Sequence, residues 1–588
     1  MIHFKFSLQD QRYLFIKIDN KEDEKNMNLL KSHMNLVDPI CYLPTYSGIP
    51  YTQDFLFDYV QPSGDKVYWC SIGLWKVIYD FFKEKNIPFD GLSENQSFFK
   101  RPIKHSFEEF KAIVDSWGLK YPPRPYQYSC AYKILQWKSS ISQLATRAGK
   151  TLLAYIVFRY AMEYLGMKRI LMIVPSIDLV KQGYNDFNDY GEFFKTECVW
   201  GGGKLVESAN MTIGTFQSLI QFLDKKSKKY NPSFFEGYDC VFVDETHRAK
   251  ANQIKTIISQ PFMKDVKIKF GMTGTLPKPK TIDFYCIHSL LGAKIQTIKP
   301  KELMDNGYIS NVHINQVHLK YPNNDYMKNL FINCAEYSLG EPVMRQNPKN
   351  HKRKEKVKLK NPKFLVQYEK IMSPGVILTK EQLIKLYGKD TPAFYDNYIK
   401  VLKTLIKSSA ATNNLVIEKI MTHFCKERVN YLCNEIIPKC PNNTLILAHH
   451  TEYINYLTEI LKEKFPNKHI DTITGTVNAK KRDKIKQMLK DNNDCILIAS
   501  YGCIGTGITL SNLCFGVLFE SFKSDVINMQ SIGRGLGLSD LKDKYILYDI
   551  IDDFDKSYSS KAIFLQGKEK IKIYKENMYE YEIQKVNL

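Results

Sequence analysis

Residues 144–153 read LATRAGKTLL, and how the Gly149-Lys150-Thr151 core is read decides the fold. A phosphate loop works by geometry. A strand ends, the backbone turns tightly, and a helix begins with free N–H groups aimed at phosphate oxygens. The lysine then reaches the terminal phosphates and the Ser or Thr hydroxyl takes the magnesium. The full pattern has a glycine where this chain has Leu144, so the triplet alone also fits a chance Gly-Lys-Thr. Its surroundings favour the loop. SISQL, ending at Leu144, reads as the strand, and TLLAYIVFRYAMEYL, from Thr151, reads as the helix. Ala148 allows close backbone approach, whereas Arg147 is large for a loop tip. Thr146, Gly149, Lys150 and Thr151 are the candidate phosphate and magnesium residues.

Working outward, VFVDETH at 241–247 is an apolar strand that delivers two adjacent carboxylates at its C-terminal edge. Asp244 suits the magnesium, and Glu245 suits orienting and deprotonating a water. Phosphoryl transfer needs both jobs done. The alternative is an acidic turn after a strand. The spacing behind Lys150 predicts that this strand neighbours the phosphate-loop strand. In the second half, QSIGRGLG at 530–537 reads as a helix. Gln530 and Arg534 are four apart and share a face. Arg534 is the candidate for stabilising charge on a transferring phosphoryl group, unless the segment is only an exposed polar helix face.

Between these landmarks the rhythm is strand, loop, helix. Apolar strands are predicted at RILMIVP, MTIG, CVFVDE and IKFGMTG, then again at TLILAHH, HIDTIT, CILIAS, CFGVLFE and KYILYDII. Helices are expected at Leu152–Leu165, Leu179–Asn188, 451–464 and 478–491. Continuous apolar strands alternating with helices imply parallel sheets covered on both faces. The organisation reads as an accessory α/β domain over 1–118, a first α/β domain over 119–312 and a basic insertion or linker over 313–400. A second α/β domain follows over 401–555, then a helical tail over 556–588. The run NPKNHKRKEKVKLKNPK at 347–363 is either a solvated insertion or a nucleic-acid contact.

Bulk composition narrows the class. At 588 residues the chain exceeds one core, and roughly 100–200 residues per domain suggests three or four units. A net charge of +21 points to an anionic polymer, nucleic acid before membrane, although an AT-biased coding style also enriches Lys, Asn, Ile and Tyr. The 13 cysteines include no Cys-x-x-Cys pair, which argues against zinc ribbons and a disulfide framework. The start MIHFKFSLQD lacks a signal-peptide plan, and no apolar run reaches the roughly 20 residues of a membrane span. A soluble protein of a reducing cytoplasm is expected, that of the host cell if the chain is phage-encoded. His449 and His450 end a strand, and opposite side-chain directions argue against a shared metal ion.

With these residues in place, the chain resembles the superfamily 2 helicases, of the DEAD/DEAH-like kind, motif after motif and in order. RPYQ resembles the adenine-reading element, with Gln127 on the base edge. LATRAGKT, VPSIDLVKQ, TIGTFQSL, DETH and MTGT resemble the motifs of a first RecA-like domain. LILAHH, ITGTVNAKKR, IASYGCIGTGITL and QSIGRGLG resemble those of a second. The form of the phosphate loop, the GGG at 201–203, the small N-terminal domain and the terminal KVNL are similar to UvsW-type recombination helicases of tailed phages. The resemblance implies two tandem RecA-like parallel-sheet domains with a small N-terminal α/β domain, and an ATP hydrolase using ATP and Mg2+. It implies action as a monomer on branched or single-stranded DNA without sequence preference, with RNA–DNA hybrids as a further ligand. Gly507 would join the ATP site, His247, Thr273 and Thr275 would couple hydrolysis to movement, and Pro175, Thr215 and Ser500 would mark the nucleic-acid contact. The family pattern ends the last motif with a second arginine where this chain has Gly537. Other outcomes are a duplex translocase without unwinding, an RNA helicase, and a hydrolysis-impaired scaffold.

Overall fold

The computed structural model describes residues 1–6, 12–37, 52–92, 98–200, 208–248, 252–328, 343–347, 350–357, 414–475, 477, 479–504, 510, 512–521 and 524–588. The chain forms two compact units. One comprises the described residues up to Lys299, the other those from Pro300 to Leu588.

The first unit opens with a five-stranded mixed sheet in the order Phe57–Val60, Lys66–Ser71, Tyr13–Ile18, Ile2–Phe6, Phe89–Asp90. Only the last pair is parallel. The helices Lys21–Met34 and Trp75–Glu84 accompany it. The core of this sheet continues into the rest of the unit. Tyr285 and Cys286, from the helix Ile282–Leu291, are buried among Ile2, Phe4, Leu74 and Phe82. Ser71 Oγ donates to the Ser289 carbonyl at 2.5 Å, and a Cβ on Gly73 would collide with the His288 carbonyl. The N-terminal sheet therefore shares apolar packing with the parallel-sheet part that follows.

The main sheet of this unit has seven parallel strands in the order Thr196–Val199, Met211–Thr215, Ile170–Val174, Cys240–Asp244, Ile268–Thr273, Ser139–Leu144, Ala293–Ile298. Its central strand Ile170–Val174 is buried throughout, which is why it reads as an unbroken apolar run. One expectation is corrected. The Asp244 strand does not pair with the phosphate-loop strand, because Ile268–Thr273 lies between them. Counting βα units gives the number of intervening strands but not the order in which they insert.

The second unit is built on another seven-stranded parallel sheet, ordered Ile470–Ile473, Ile496–Ser500, Thr444–Ala448, Phe515–Leu518, Lys544–Asp553, Asn311–Lys320, Glu580–Asn587. Two of these strands come from segments read otherwise. Asn311–Lys320 falls where a linker was expected, and the tail holds one helix, Ala562–Glu576, before its closing strand. That strand is mostly exposed at the sheet edge, and its sequence EYEIQKVN is correspondingly polar. Buried polar pairs fix these additions. Arg428, fully buried, donates to Asp552 at 2.7 Å, and Tyr321 donates to the same carboxylate at 2.8 Å. Glu418 is buried and accepts from the Ala562 and Ile563 amides at 3.0 and 2.8 Å, capping the helix Ala562–Glu576. At the start of the basic run, Val343–Asn347 pairs antiparallel with Asn350–Val357.

Among the described residues no helix is long and apolar enough to cross a membrane, and no cluster of three or more His, Cys, Asp or Glu side chains is fit to hold a metal ion. His449 and His450 lie beyond the end of their strand at Ala448, and their rings sit 5.6 Å apart rather than on opposite faces. They flank Glu520, which receives the His449 amide and a 2.5 Å contact from His423.

Candidate ATP-hydrolysing site

In a parallel sheet every strand delivers its C-terminal end to one edge, and ligand chemistry collects there. In the first unit the strand Ser139–Leu144 ends at that edge and the helix Lys150–Leu165 begins after five intervening residues. The turn between them has positive φ at two points. Arg147 has φ +67° and Gly149 φ +70°. Glycine takes the second position at no steric cost, while Arg147 adopts a conformation that L side chains rarely hold. A Cβ on Gly149 would also lie 2.6 Å from Gln127 Nε2.

The loop is latched from behind. Gln127, on the helix Pro125–Gln136, is 2% exposed. Its Nε2 donates to the Gly149 carbonyl at 3.0 Å and the Ala148 carbonyl at 3.3 Å, and its Oε1 accepts from the Arg124 amide at 2.7 Å. Tyr126 donates to the Ala148 carbonyl at 2.7 Å, and Arg124 Nη1 to the Arg147 carbonyl at 3.1 Å. RPYQ was read as a base-reading element. In the structure Arg124, Tyr126 and Gln127 bond to carbonyls of the phosphate loop, Gln127 through its Nε2, while its Oε1 takes the Arg124 amide at the start of its own helix. The loop carbonyls that receive these bonds left no mark in the sequence.

Asp244 ends its strand and Glu245 follows with φ +50°. This kink turns the two carboxylates apart, so that Glu245 Oε1 meets Lys150 Nζ at 3.2 Å. The other oxygen, Oε2, lies 3.3 Å from His247 Nδ1 and 3.4 Å from Thr273 Oγ1. His247 Nδ1 is also 2.9 Å from that hydroxyl. Thr273 is fully buried, lies 2.9 Å from the Thr275 carbonyl and accepts from the Thr275 amide at 3.3 Å. Thr275 thus contributes backbone to the network. Thr246 Oγ1 donates to the Met272 carbonyl at 3.0 Å, binding the acidic turn to the next strand.

Burial pushes the Asp244 carboxyl up to about 6, with Lys150 opposing and Glu245 adding to the rise. Burial also raises Glu245, but the Lys150 ammonium and then His247 outweigh it and hold that carboxyl well below the usual range. The adjacent acids are therefore driven apart, one toward neutrality and one toward its anion. A half-buried carboxyl raised in this way suits a divalent ion, and Mg2+ is usually held by one or two protein oxygens plus substrate phosphates. Asp244 and Thr151 fit that role. Sequence reasoning missed Asp186. It accepts from Gln182 at 3.5 Å and from Thr151, and burial raises its carboxyl to about 6. Lying in a polar helix segment, it gave no signal.

The other assigned residues fall as follows. Pro175 is buried just past its strand. Thr215, 3% exposed, spends its hydroxyl on Ser218, accepting from the amide at 3.2 Å and donating to Oγ at 3.0 Å. It is a helix cap in this structure, although it stands at the same sheet edge as Val174. Ser500 ends a strand of the second unit, partly exposed. Gly507 and the glycines at 201–203 lie outside the described residues. Gln530 and Arg534 share the helix Asp525–Gly535, which Ser524 caps. Gly537 lies beyond the end of that helix, so it does not continue their face. The Ser310 hydroxyl donates to its carbonyl at 2.9 Å.

Residues 120–278 match the family described as type III restriction enzyme, res subunit, and residues 427–536 match the helicase conserved C-terminal domain. The chain is 23% identical over 504 residues, 82% of each protein, to the ATP-dependent DNA helicase uvsW of Enterobacteria phage T4. Among solved structures, that of T4 UvsW aligns over 100% of this chain and 99% of that one, at 20% identity and a TM-score of 0.39. S. cerevisiae Dbp5 bound to RNA and ADP BeF3 aligns over 82% and 95%, at 13% identity and a TM-score of 0.46.

Proposed function

We propose, for a chain that belongs to the superfamily 2 helicases and hydrolyses ATP, that its work is to remodel branched DNA. The substrates on this reading are D-loops, R-loops, stalled forks and Holliday junctions in phage recombination, repair and replication. The likeness to a phage DNA helicase over 82% of the chain carries it.

The site's geometry supports a division of labour. Lys150 and the loop amides bind the terminal phosphates. Asp244 and Thr151 hold Mg2+, which when bound neutralises phosphate charge. Glu245, kept anionic, takes a proton from the attacking water through its carboxylate. Lys150 occupies that carboxylate at 3.2 Å, so phosphates that draw the ammonium away release the base where it is needed. His247 and Thr273 touch the same carboxylate and carry its state to Thr275. We assign transition-state charge to Arg534, with Gln530 beside it, and a place at the same ATP to Gly507.

Nucleic acid is gripped through its backbone, which gives sequence-tolerant and salt-sensitive binding. Pro175, Thr215 and Ser500 mark the strand ends assigned to that grip. RNA–DNA hybrids are included as ligands, the working form is a monomer, and the compartment is the host cytoplasm. The experiment is ATP-dependent strand displacement on forked, Holliday-junction and fully paired DNA. Displacement of the branched substrates supports the reading. ATP turnover on duplex without displacement of any of them would replace it with a non-unwinding translocase.

A further inference from the structure

The opposite end of the first main sheet carries a second constellation. The N-terminal ends of three adjacent strands, Ile268–Thr273, Ser139–Leu144 and Ala293–Ile298, meet the N-terminal sheet around a cavity of about 250 Å³. At about 3.3 Å per residue, six-residue strands separate it from the phosphate loop by roughly 20 Å. Arg12, Lys138, Lys255 and Lys269 line it, and among the described residues no acidic side chain does. Lys269 has no ion-pair partner among the described residues. Burial and the neighbouring Arg12 push its ammonium down to about 8. Lys138 is lowered by burial and then by Arg101. Cations gathered against one another cost stability unless something anionic joins them.

The walls are aromatic. Trp75 and Trp137 stack with ring centroids 5.8 Å apart and planes 14° apart, and Trp75 meets Phe99 at 4.7 Å. These three residues also line a larger cavity of about 700 Å³, again without an acidic side chain among the described residues. There Lys100 stands over Trp137 at 5.2 Å, and Lys83 stands over Tyr79 at 5.8 Å and Phe89 at 5.6 Å. Ring and cation therefore recur along one surface. A free nucleotide needs one of each, whereas a strand needs them repeated. A duplex keeps its bases stacked inside, away from such rings.

We propose that this surface holds unpaired nucleotides of a single strand, with phosphates on Arg12, Lys83, Lys100 and Lys269 and bases against Trp75 and Trp137. This rests on the reading that the chain works on nucleic acid. The groove lies at the opposite end of the first main sheet from Pro175 and Thr215, so a displaced strand held there stays bound while the motor moves on its partner.

The test uses the full chain and the triple variant Arg12→Ala/Lys83→Ala/Lys100→Ala, with a fluorescein-labelled oligothymidylate titrated over a range of salt. Each lost phosphate contact lowers the slope of log K against log salt by about 0.7, hence about 2 for three contacts. The expected result is that drop, with at least tenfold weaker strand binding and the binding of blunt duplex retained. Unchanged affinity and slope would overturn the proposal, as would equal loss of strand and duplex. Displacement of the strand from the parent by free thymidine monophosphate at equal nucleotide concentration would overturn it in favour of a mononucleotide site. A parallel measurement photocrosslinks 5-iodouracil DNA to the parent protein. Adducts on peptides carrying Trp75 or Trp137 are expected, and adducts confined to other regions would refute the groove even if the triple variant misfolds. Failure of every nucleic acid to stimulate the parent's ATPase would instead count against the helicase reading, which these binding measurements leave separate.

Discussion

Lys150 Nζ lies 3.2 Å from Glu245 Oε1, joining the residue assigned to phosphate at one helix start to the base assigned at a strand end. ATP that recruits the lysine must loosen this pair, so nucleotide binding and activation of the base become one event. Lys150→Ala is expected to abolish ATP turnover, with DNA binding largely intact by fluorescence anisotropy. Normal turnover would place the site elsewhere.

Glu245→Gln separates binding from chemistry. Removing the carboxylate charge frees Lys150 for phosphate, so nucleotide affinity should rise while hydrolysis falls, by roughly 10²–10³ if the loss matches that of a transition-state electrostatic group. Fluorescent-nucleotide titration and single-turnover phosphate release report the two effects. Unchanged affinity would mean that the ion pair does not restrain the lysine.

Gln127 holds two loop carbonyls and one amide. Gln127→Ala leaves these groups buried without their partner, at a cost of about 1–3 kcal/mol. The melting temperature should fall, and the Michaelis constant for ATP should rise because the loop loses its set shape. A base-specific role would instead relax the preference for adenine with stability unchanged, so ATP and GTP turnover by the variant distinguishes the two.

Much of this site was legible in the sequence, for a physical reason. Parallel strands buried on both faces must be continuously apolar, and their C-terminal ends must carry the polar chemistry, so ILMIV, CVFVD and IKFGMT announce both strand and site. Strand order was not legible, since Ile268–Thr273 slips between the Lys150 and Asp244 strands without altering the local pattern. Nor was the strand Glu580–Asn587, where an exposed edge has no need of apolar alternation. The latch on the phosphate loop escaped because its acceptors are main-chain carbonyls, which any residue supplies.

Gly537 is the departure from the family pattern. Because the helix bearing Gln530 and Arg534 ends at Gly535, an arginine introduced as Gly537→Arg would not extend their face. DNA-stimulated turnover should stay flat in that variant, whereas Arg534→Ala should lose about 10³–10⁵ in rate, as removal of a transition-state arginine does. A marked gain from Gly537→Arg would show that a second cation limits hydrolysis.

His288 is buried, and its Nδ1 lies 2.9 Å from the Gly292 carbonyl. Burial pushes its pKa down to about 4. Its folded pKa is thus below the unfolded value near 6.5, so between these two values the unfolded state binds more protons. Stability from this residue is complete above about pH 6.5 and declines as pH falls toward 4. Urea unfolding of the first transition at pH 7.5 and pH 5 should show a smaller acid-side loss in His288→Phe than in the parent. Equal losses would mean that the imidazole protonates without strain in the folded protein.

The most direct test of the central claim, that one phosphate site drives work on branched DNA, is steady-state phosphate release across a panel of ligands. The panel comprises single-stranded, duplex, forked, D-loop and RNA–DNA hybrid ligands, each run with the parent and with Lys150→Ala. The account predicts strong stimulation of the parent by forked and D-loop DNA and none in the variant. Turnover indifferent to nucleic acid, or surviving the loss of Lys150, would contradict it.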